Sequence, residues 1–289
     1  MKSYTIKKFK VVSDQKHLLA EGPLWDHKFS RYLFVDIKKN YFYIFKNNIL
    51  KKYKIKKKIT SIILTNKENV LIFTTFDSII QFDLTKKKNV KTIYRTNFIR
   101  ERFNDSYILN DKMILISSMD KFEKEKIGKL YLFNKLKKKV ILLKNFIIGN
   151  GIDYCNLKKK FYFSISDLGL IVSFKLEKNK LKKKKIFCKI PKKYGVPDGI
   201  TVDKTGFVWV SCWNGGCLLR LDQTGKIILS IKVPSKFPTS LCFGGVNFNE
   251  ILTTSAFDKK NKKYGNVYLY VTRFKGKKTN HLKINHLNF

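Results

Sequence analysis

The sequence predicts an all-β chain folded as a six-bladed β-propeller, and three observations carry that expectation. Apolar residues come in short, β-branched and aromatic runs: RYLFVDI, VLIFTTF, MILISSM, KFYFSIS, FVWVSCW and EILTTSA. No segment keeps a helical apolar period with caps at its ends. Six similar units begin at Glu21 (EGPLWD), Ser61 (SIILTN), Asn104 (NDSYIL), Asn150 (NGIDYC), Asp198 (DGITVD) and Ser240 (SLCFGG), with starts 40, 43, 46, 48 and 42 residues apart. That is the length of a four-stranded blade. A β-sandwich with irregular hairpins is the rival, and it has no need of six alike units.

Taken in order, the N-terminal MKSYTIKKFKVV alternates polar and apolar residues, so roughly Tyr4 to Val12 reads as a strand. It has no hairpin partner nearby and precedes the first unit. A closed ring needs its last blade tied to its first, and this strand is expected to supply that blade's outer strand. Within each unit the strong run is followed by another strand: YFYIF, SIIQFDL, KLYLFN, LIVSFKL, CLLRLD and NVYLYV. Each unit is thus strand, turn, strand, turn, strand, then a Lys-rich or polar return. The sixth ends at GNVYLYVTRF, Gly265 to Phe274. No long Pro/Gly linker interrupts the pattern, so residues 1–289 are expected to form a single domain. His281 and His286, in HLKIN, read as part of a solvated tail.

Composition bounds the function. Hydrophobic residues make up 44% of the 289, which excludes a disordered polymer. Lys interrupts nearly every apolar run before it reaches membrane-spanning length, so no membrane partner is expected. The formal charge of +40 raises the idea of a nucleic-acid-binding protein. Nearly all of it is Lys; Arg occurs only at 31, 95, 100, 102, 220 and 273. Lys is accompanied by many Ile, Asn, Phe and Tyr, the residues of AT-rich codons, so mutational bias accounts for it without a partner. KIKKK, TKKKN, KLKKK, NLKKK and NKLKKKK fall between strand segments and read as solvated hairpin tips spread round the molecule. Most aromatic residues lie within strand patterns as core. The five cysteines are odd in number and lack a Cys-x-x-Cys pair, and the N-terminus has no export signal. Reduced thiols in a cytoplasmic protein follow.

The register of the units brings chemistry together. The start of each innermost strand lies near the propeller axis at one mouth of the channel. Glu21, Asn104, Asn150 and Asp198 share that position, and Ser61 and Ser240 complete the ring. Carboxylates and amide carbonyls are hard oxygen donors that suit Ca²⁺, Mg²⁺ or Mn²⁺. Asn-Gly and Asp-Gly taken singly are ordinary turn dipeptides; their coincidence at one repeat position makes a site. No Gly-x-Ser-x-Gly elbow occurs and no His stands at a blade start, which argues against a serine triad.

Four stretches between about Leu19 and Phe257 carry a resemblance: EGPLWDHKFSRYLFVDI, NGIDY, PDGITVDKTGFVWVSCWNGGCLLRLDQTGK and PTSLCFGGVNFNEILTTSA. In them the chain resembles the senescence-marker-protein (regucalcin)/gluconolactonase-like family of six-bladed propellers. The resemblance implies one divalent metal ion (Ca²⁺, Mg²⁺, Mn²⁺ or Zn²⁺) held by Glu21, Asn150 and Asp198. It implies substrate contacts from Arg102 and Asn104 of RFND, and a helper at Glu123 or Glu125. The implied activity is hydrolysis of a sugar lactone to its aldonic acid, with the cation polarising the lactone carbonyl and Asp198 as the catalytic residue that orients or deprotonates water. Three positions depart from the family pattern: Ser106 stands where Gly is common, Ser117-Ser118-Met119 replaces Gly-Thr-Met, and Ile165 precedes Ser166 where Asp is common. They cluster around the substrate side or the blade core rather than the metal triad. The rival class is a non-catalytic metal- or ligand-binding propeller, or a Lys-rich nucleic-acid binder. The oligomeric state is left open.

Overall fold

The computed structural model describes residues 2–4, 9–136 and 138–284. Six sheets surround a central channel, each begun by an innermost strand: Ala20–Asp26, Ile59–Leu64, Glu101–Ile108, Gly149–Cys155, Val196–Val202 and Pro238–Gly244. Each inner strand pairs antiparallel with the next strand outward, and each packs against the inner strand of the following blade. The sixth packs against the first, which closes the ring. The chain is a six-bladed β-propeller. Its one helical element among the described residues is a 3₁₀ turn at Lys192–Tyr194.

Blade anatomy explains the sequence pattern. The second strand of each blade is covered on both faces by its neighbours, so Arg31–Asp36 is buried at every residue. Such strands read as continuous apolar runs. Outer strands face water; Ile49–Lys54 and Lys180–Lys189 are exposed or half-buried throughout. Between blades lie aromatic layers such as Phe42, Phe73 and Phe82, then Phe103 and Phe133, all essentially inaccessible. Burial of each such side chain is worth about 1.5–3 kcal/mol.

Three sequence expectations are corrected. The strand that closes the last blade runs Lys10–His17, not Tyr4 to Val12; residues 5–8 lie outside the described residues. It pairs with Gly265–Val271 through Lys10 opposite Leu269 and His17 opposite Gly265. An outermost strand has to bury only a few side chains. Here Ser13 and His17 are the buried ones, and SDQKH therefore serves despite its polarity. The short strand Lys2–Tyr4 adds in parallel to the edge of blade five. Second, several Lys runs are not hairpin tips but outer-strand residues, as in Lys182–Lys185. Lysines there also blunt an exposed sheet edge.

Third, the segment after Phe274 is not a solvated tail. It crosses the far mouth of the channel and touches every blade. Lys275 accepts from the Lys204 N–H, and Gly276 donates to Phe248. The Lys277 ammonium pairs with Asp153, and Asn280 donates to the Ile108 and Leu109 carbonyls. His281 Nε2 meets Asp26 Oδ1 at 2.8 Å, and Leu282 pairs with Leu64. His281 is buried; His286 lies outside the described residues.

Candidate functional site

In every blade the pairing of the inner strand with its neighbour slips at the same level. The breaks fall between Glu21 and Leu24, Ile59 and Ser61, Phe103 and Ser106, Gly149 and Ile152, Pro197 and Ile200, and Pro238 and Ser240. Such bulges bend a strand and re-aim its side chains. Asn104, Asn150 and Asp198 are themselves bulge residues, and Glu21 immediately precedes one. Gly151 and Gly199 sit where adjacent inner strands nearly touch: a Cβ on Gly151 would lie 2.7 Å from the Gly199 Cα, and one on Gly199 would strike Ser240. Glycine is required at both for the ring to close this tightly.

Side chains stitch the ring at this level. Thr239 Oγ1 donates to the Ala20 carbonyl at 2.6 Å and Ser61 Oγ to Ser106 Oγ at 2.8 Å. Asn104 Nδ2 donates to the Gly149 carbonyl at 2.9 Å, and Ser166 Oγ to the Pro197 carbonyl at 2.7 Å. The departures noted in the sequence are thereby explained. Ser106 is a stitch between blades two and three. Ser117 Oγ accepts from the Asp105 N–H, and Ile165 is packed in the apolar core.

Glu21, Asn150 and Asp198 come together. The Asn150 amide lies beside the Asp198 carboxyl and favours its charged form, while the Glu21 charge opposes it. Asn150 Nδ2 also contacts Ser166 Oγ at 3.3 Å, so its nitrogen is committed and its carbonyl oxygen is not. Asp198 is 5% exposed, and its Oδ1 is buried without a hydrogen-bond partner. Arg102 is buried, donating from Nη1 to Asn104 Oδ1 at 2.8 Å and lying over the Phe76 ring at 4.9 Å. Asn104 is thus braced at both ends of its amide, which limits it to a shared role with Arg102. Of the two candidate glutamates, Glu125 is ion-paired to Arg100, whereas the charge of Glu123 acts on Arg102 and Asp198.

Sequence reasoning missed Asp105, Ser166 and Lys277. Asp105 directly follows Asn104 in RFND and adds a third carboxyl near Glu21 and Asp198; its adjacency in sequence was the available signal. Below it, a cavity of about 100 Å³ runs toward the C-terminal crossing, with Gly22, Ser61, Asp105, Asp153, Thr201 and Lys277 on its wall.

The electrostatics show a shortage of positive charge. Burial, then Asp105, pushes the Glu21 carboxyl up to about 8, against the Gly22 N–H and Arg102. Burial raises Asp198 well above the carboxylate range, with Glu21 and Asp105 adding to it. Burial, with Asp153 beside it, lifts Asp105 to about 6. Burial lowers Arg102 to about 10 despite Glu123 and Glu21. Three crowded carboxyls share one guanidinium, and burial and mutual repulsion disfavour their charged forms. Among the described residues no three His, Cys, Asp or Glu side chains form a ligand cluster; the candidate donors are two carboxylates and one amide. That set of hard oxygens, with one orphaned carboxylate oxygen, fits a divalent cation.

Comparison with known proteins decides the family. The SMP-30/Gluconolactonase/LRE-like region matches residues 19–257. The chain belongs to this family. Regucalcin of Gallus gallus is 36% identical over 121 residues, a stretch that spans 40% of each chain. Regucalcin of Xenopus laevis is 26% identical over 282 residues, covering 90% of this chain and 93% of that one. A calcium-binding protein, regucalcin, of Agrobacterium tumefaciens superposes with a TM-score of 0.90 at 18% identity, over 97% of this chain and 99% of the other. That superposition speaks for the fold of the SMP-30/gluconolactonase member described here. No helix among its described residues is long and apolar enough to cross a membrane.

Proposed function

We propose that the chain is a divalent-cation-dependent lactonase that opens a sugar lactone to its aldonic acid, with Glu21, Asn150 and Asp198 as the cation's protein ligands. One observation carries the reading: the unpartnered, buried Asp198 Oδ1 beside Asn150 and Glu21. Membership of a family named for gluconolactonase, and a structural relative described as calcium-binding, support the same direction.

When bound, the cation supplies a Lewis acid for the lactone carbonyl and neutralises the crowded carboxyls. The chain's own groups do the rest. Asp198, ionised under those conditions, accepts a hydrogen bond from water through one oxygen and takes its proton as the oxygen adds to the carbonyl carbon. The ring C–O bond then breaks, and the departing alkoxide recovers a proton as the hydroxyl of the open acid. Arg102, its guanidinium fixed on Asn104 and Phe76, is placed to donate to the sugar's oxygens. Its rigidity keeps the carbonyl near Asp198 at little entropic cost.

The test is a panel of sugar lactones, with acid release followed by a pH indicator. Metal-free protein is assayed before and after adding Ca²⁺, Mg²⁺, Mn²⁺ or Zn²⁺. Activity that appears only with a cation supports the reading. Full activity after exhaustive chelation refutes it.

A further inference from the structure

We propose that Cys212 and Cys217 form a redox couple that closes to a cross-strand disulfide when the chain meets a hydroperoxide. The two residues lie directly opposite one another on the antiparallel strands Val208–Trp213 and Cys217–Leu221. Directly opposed residues have their Cα atoms about 4.5–5.5 Å apart, inside the roughly 4.4–6.8 Å that a disulfide spans. Their side chains share a face of the sheet, and both belong to the same buried cluster. Little backbone movement separates the dithiol from the disulfide.

Within the pair, Cys217 is the better placed to attack, since it is 6% exposed and Cys212 is fully inaccessible. Cys217 lines a surface groove of about 560 Å³ rimmed by Lys193, Lys232 and Lys236. Cys212 and Ser230 beside it hold its thiol below the ordinary value, against the effect of burial. The remaining cysteines lack this arrangement. Cys155 stands opposite Lys160, Cys188 opposite Ile171 and Cys242 opposite Leu252, and burial pushes the Cys188 thiol up to about 11. In the reaction the Cys217 thiolate attacks one peroxide oxygen and the O–O bond breaks. The alcohol, or water, leaves with the other oxygen, and Cys217 becomes a sulfenic acid. The Cys212 sulfur then attacks that sulfur, and the hydroxyl departs as water with the Cys212 proton. The two thiols lose two electrons, and the hydroperoxide gains them. Cys212 also pairs with Pro197, the residue before Asp198, so the couple borders the cluster described above.

The folded full chain is treated with hydrogen peroxide, its remaining thiols are alkylated, and a tryptic digest is mapped without reduction. Both cysteines fall in one peptide, residues 205–220. The expected result is that this peptide loses two hydrogens, resists alkylation and recovers after dithiothreitol, while Cys155, Cys188 and Cys242 remain alkylated. Cys188→Ser preserves the outcome, and Cys217→Ser abolishes it. A Cys188–Cys212 link, alkylatable Cys212 and Cys217 in peroxide-treated protein, or Cys217 stopped at sulfinic acid would each overturn the proposal. All three outcomes are read on the wild-type chain, so they stand even where a variant misfolds.

Discussion

Glu21→Gln separates the cost of a crowded carboxyl from its use. Gln keeps the shape and can still accept the Gly22 N–H that Glu21 Oε2 accepts at 3.0 Å. The Glu21 carboxyl is raised from an ordinary 4.5 to about 8. Below the unfolded value the group is protonated in both states and costs nothing. Between 4.5 and about 8 the unfolded chain releases the proton while the folded chain keeps it, so stability falls as pH rises. Above that window the full penalty is in place. A shift of this size corresponds to at most about 4–5 kcal/mol, at ~1.4 kcal/mol per pH unit. Asp105 and Asp198 share part of it, which leaves roughly 2–4 kcal/mol for the substitution to recover. In metal-free protein Glu21→Gln should therefore match wild type at pH 4 to 5 and exceed it at pH 9. At about 2–4 °C per kcal/mol the gain in Tm is roughly 4–16 °C. The same variant should lose the rise in Tm that a divalent cation gives wild type. Thermal denaturation after chelation, at several pH values, measures both. A variant less stable than wild type at pH 9, or a difference that does not change with pH, would refute the reasoning.

Asp198→Asn should lower kcat by about 10²–10⁴ and, in metal-free protein at neutral pH, raise the urea midpoint, because burial disfavours the charged carboxyl it replaces; parallel activity and denaturation curves read both. Cation affinity should rise as pH increases from 5 to 8, because protons on Asp105 and Glu21 are displaced; calorimetry in buffers of different ionisation enthalpy reports the released protons. Gly151→Ala forces a methyl onto the backbone of Ile200 and Gly199 and should cost about 1–3 kcal/mol in urea unfolding. His281→Ala removes a partner of the buried Asp26 and should destabilise by about 1–3 kcal/mol; an unchanged midpoint would mean that the C-terminal crossing does not brace the ring.

The ring was legible because its signals repeat. Runs buried on both faces, such as RYLFVD and VLIFTT, look apolar wherever they occur, and the polar residue at each inner-strand start recurs once per blade. Those starts mark the bulge level to within a residue or two, which is why Glu21, Asn104, Asn150 and Asp198 align in the sequence alone. What was not legible depends on contacts between distant, dissimilar segments. SDQKH closes the ring because an outer strand is asked to bury only Ser13 and His17, and no periodicity announces that. Lys277 and His281 find carboxylates more than a hundred residues away, in a tail whose composition looks solvated. Ser106 reads as a departure in sequence and becomes a stitch only when Ser61 stands opposite.

The account depends on inner-strand bulges that aim two carboxylates and an amide at one point. Calorimetric titration of the metal-free chain with Ca²⁺, alongside Glu21→Gln, Asn150→Ala and Asp198→Asn, tests it most directly. The account predicts one ion per chain for wild type and loss of that binding in all three variants. Undiminished binding in the variants, or none in a folded wild-type chain with any divalent cation, would contradict it.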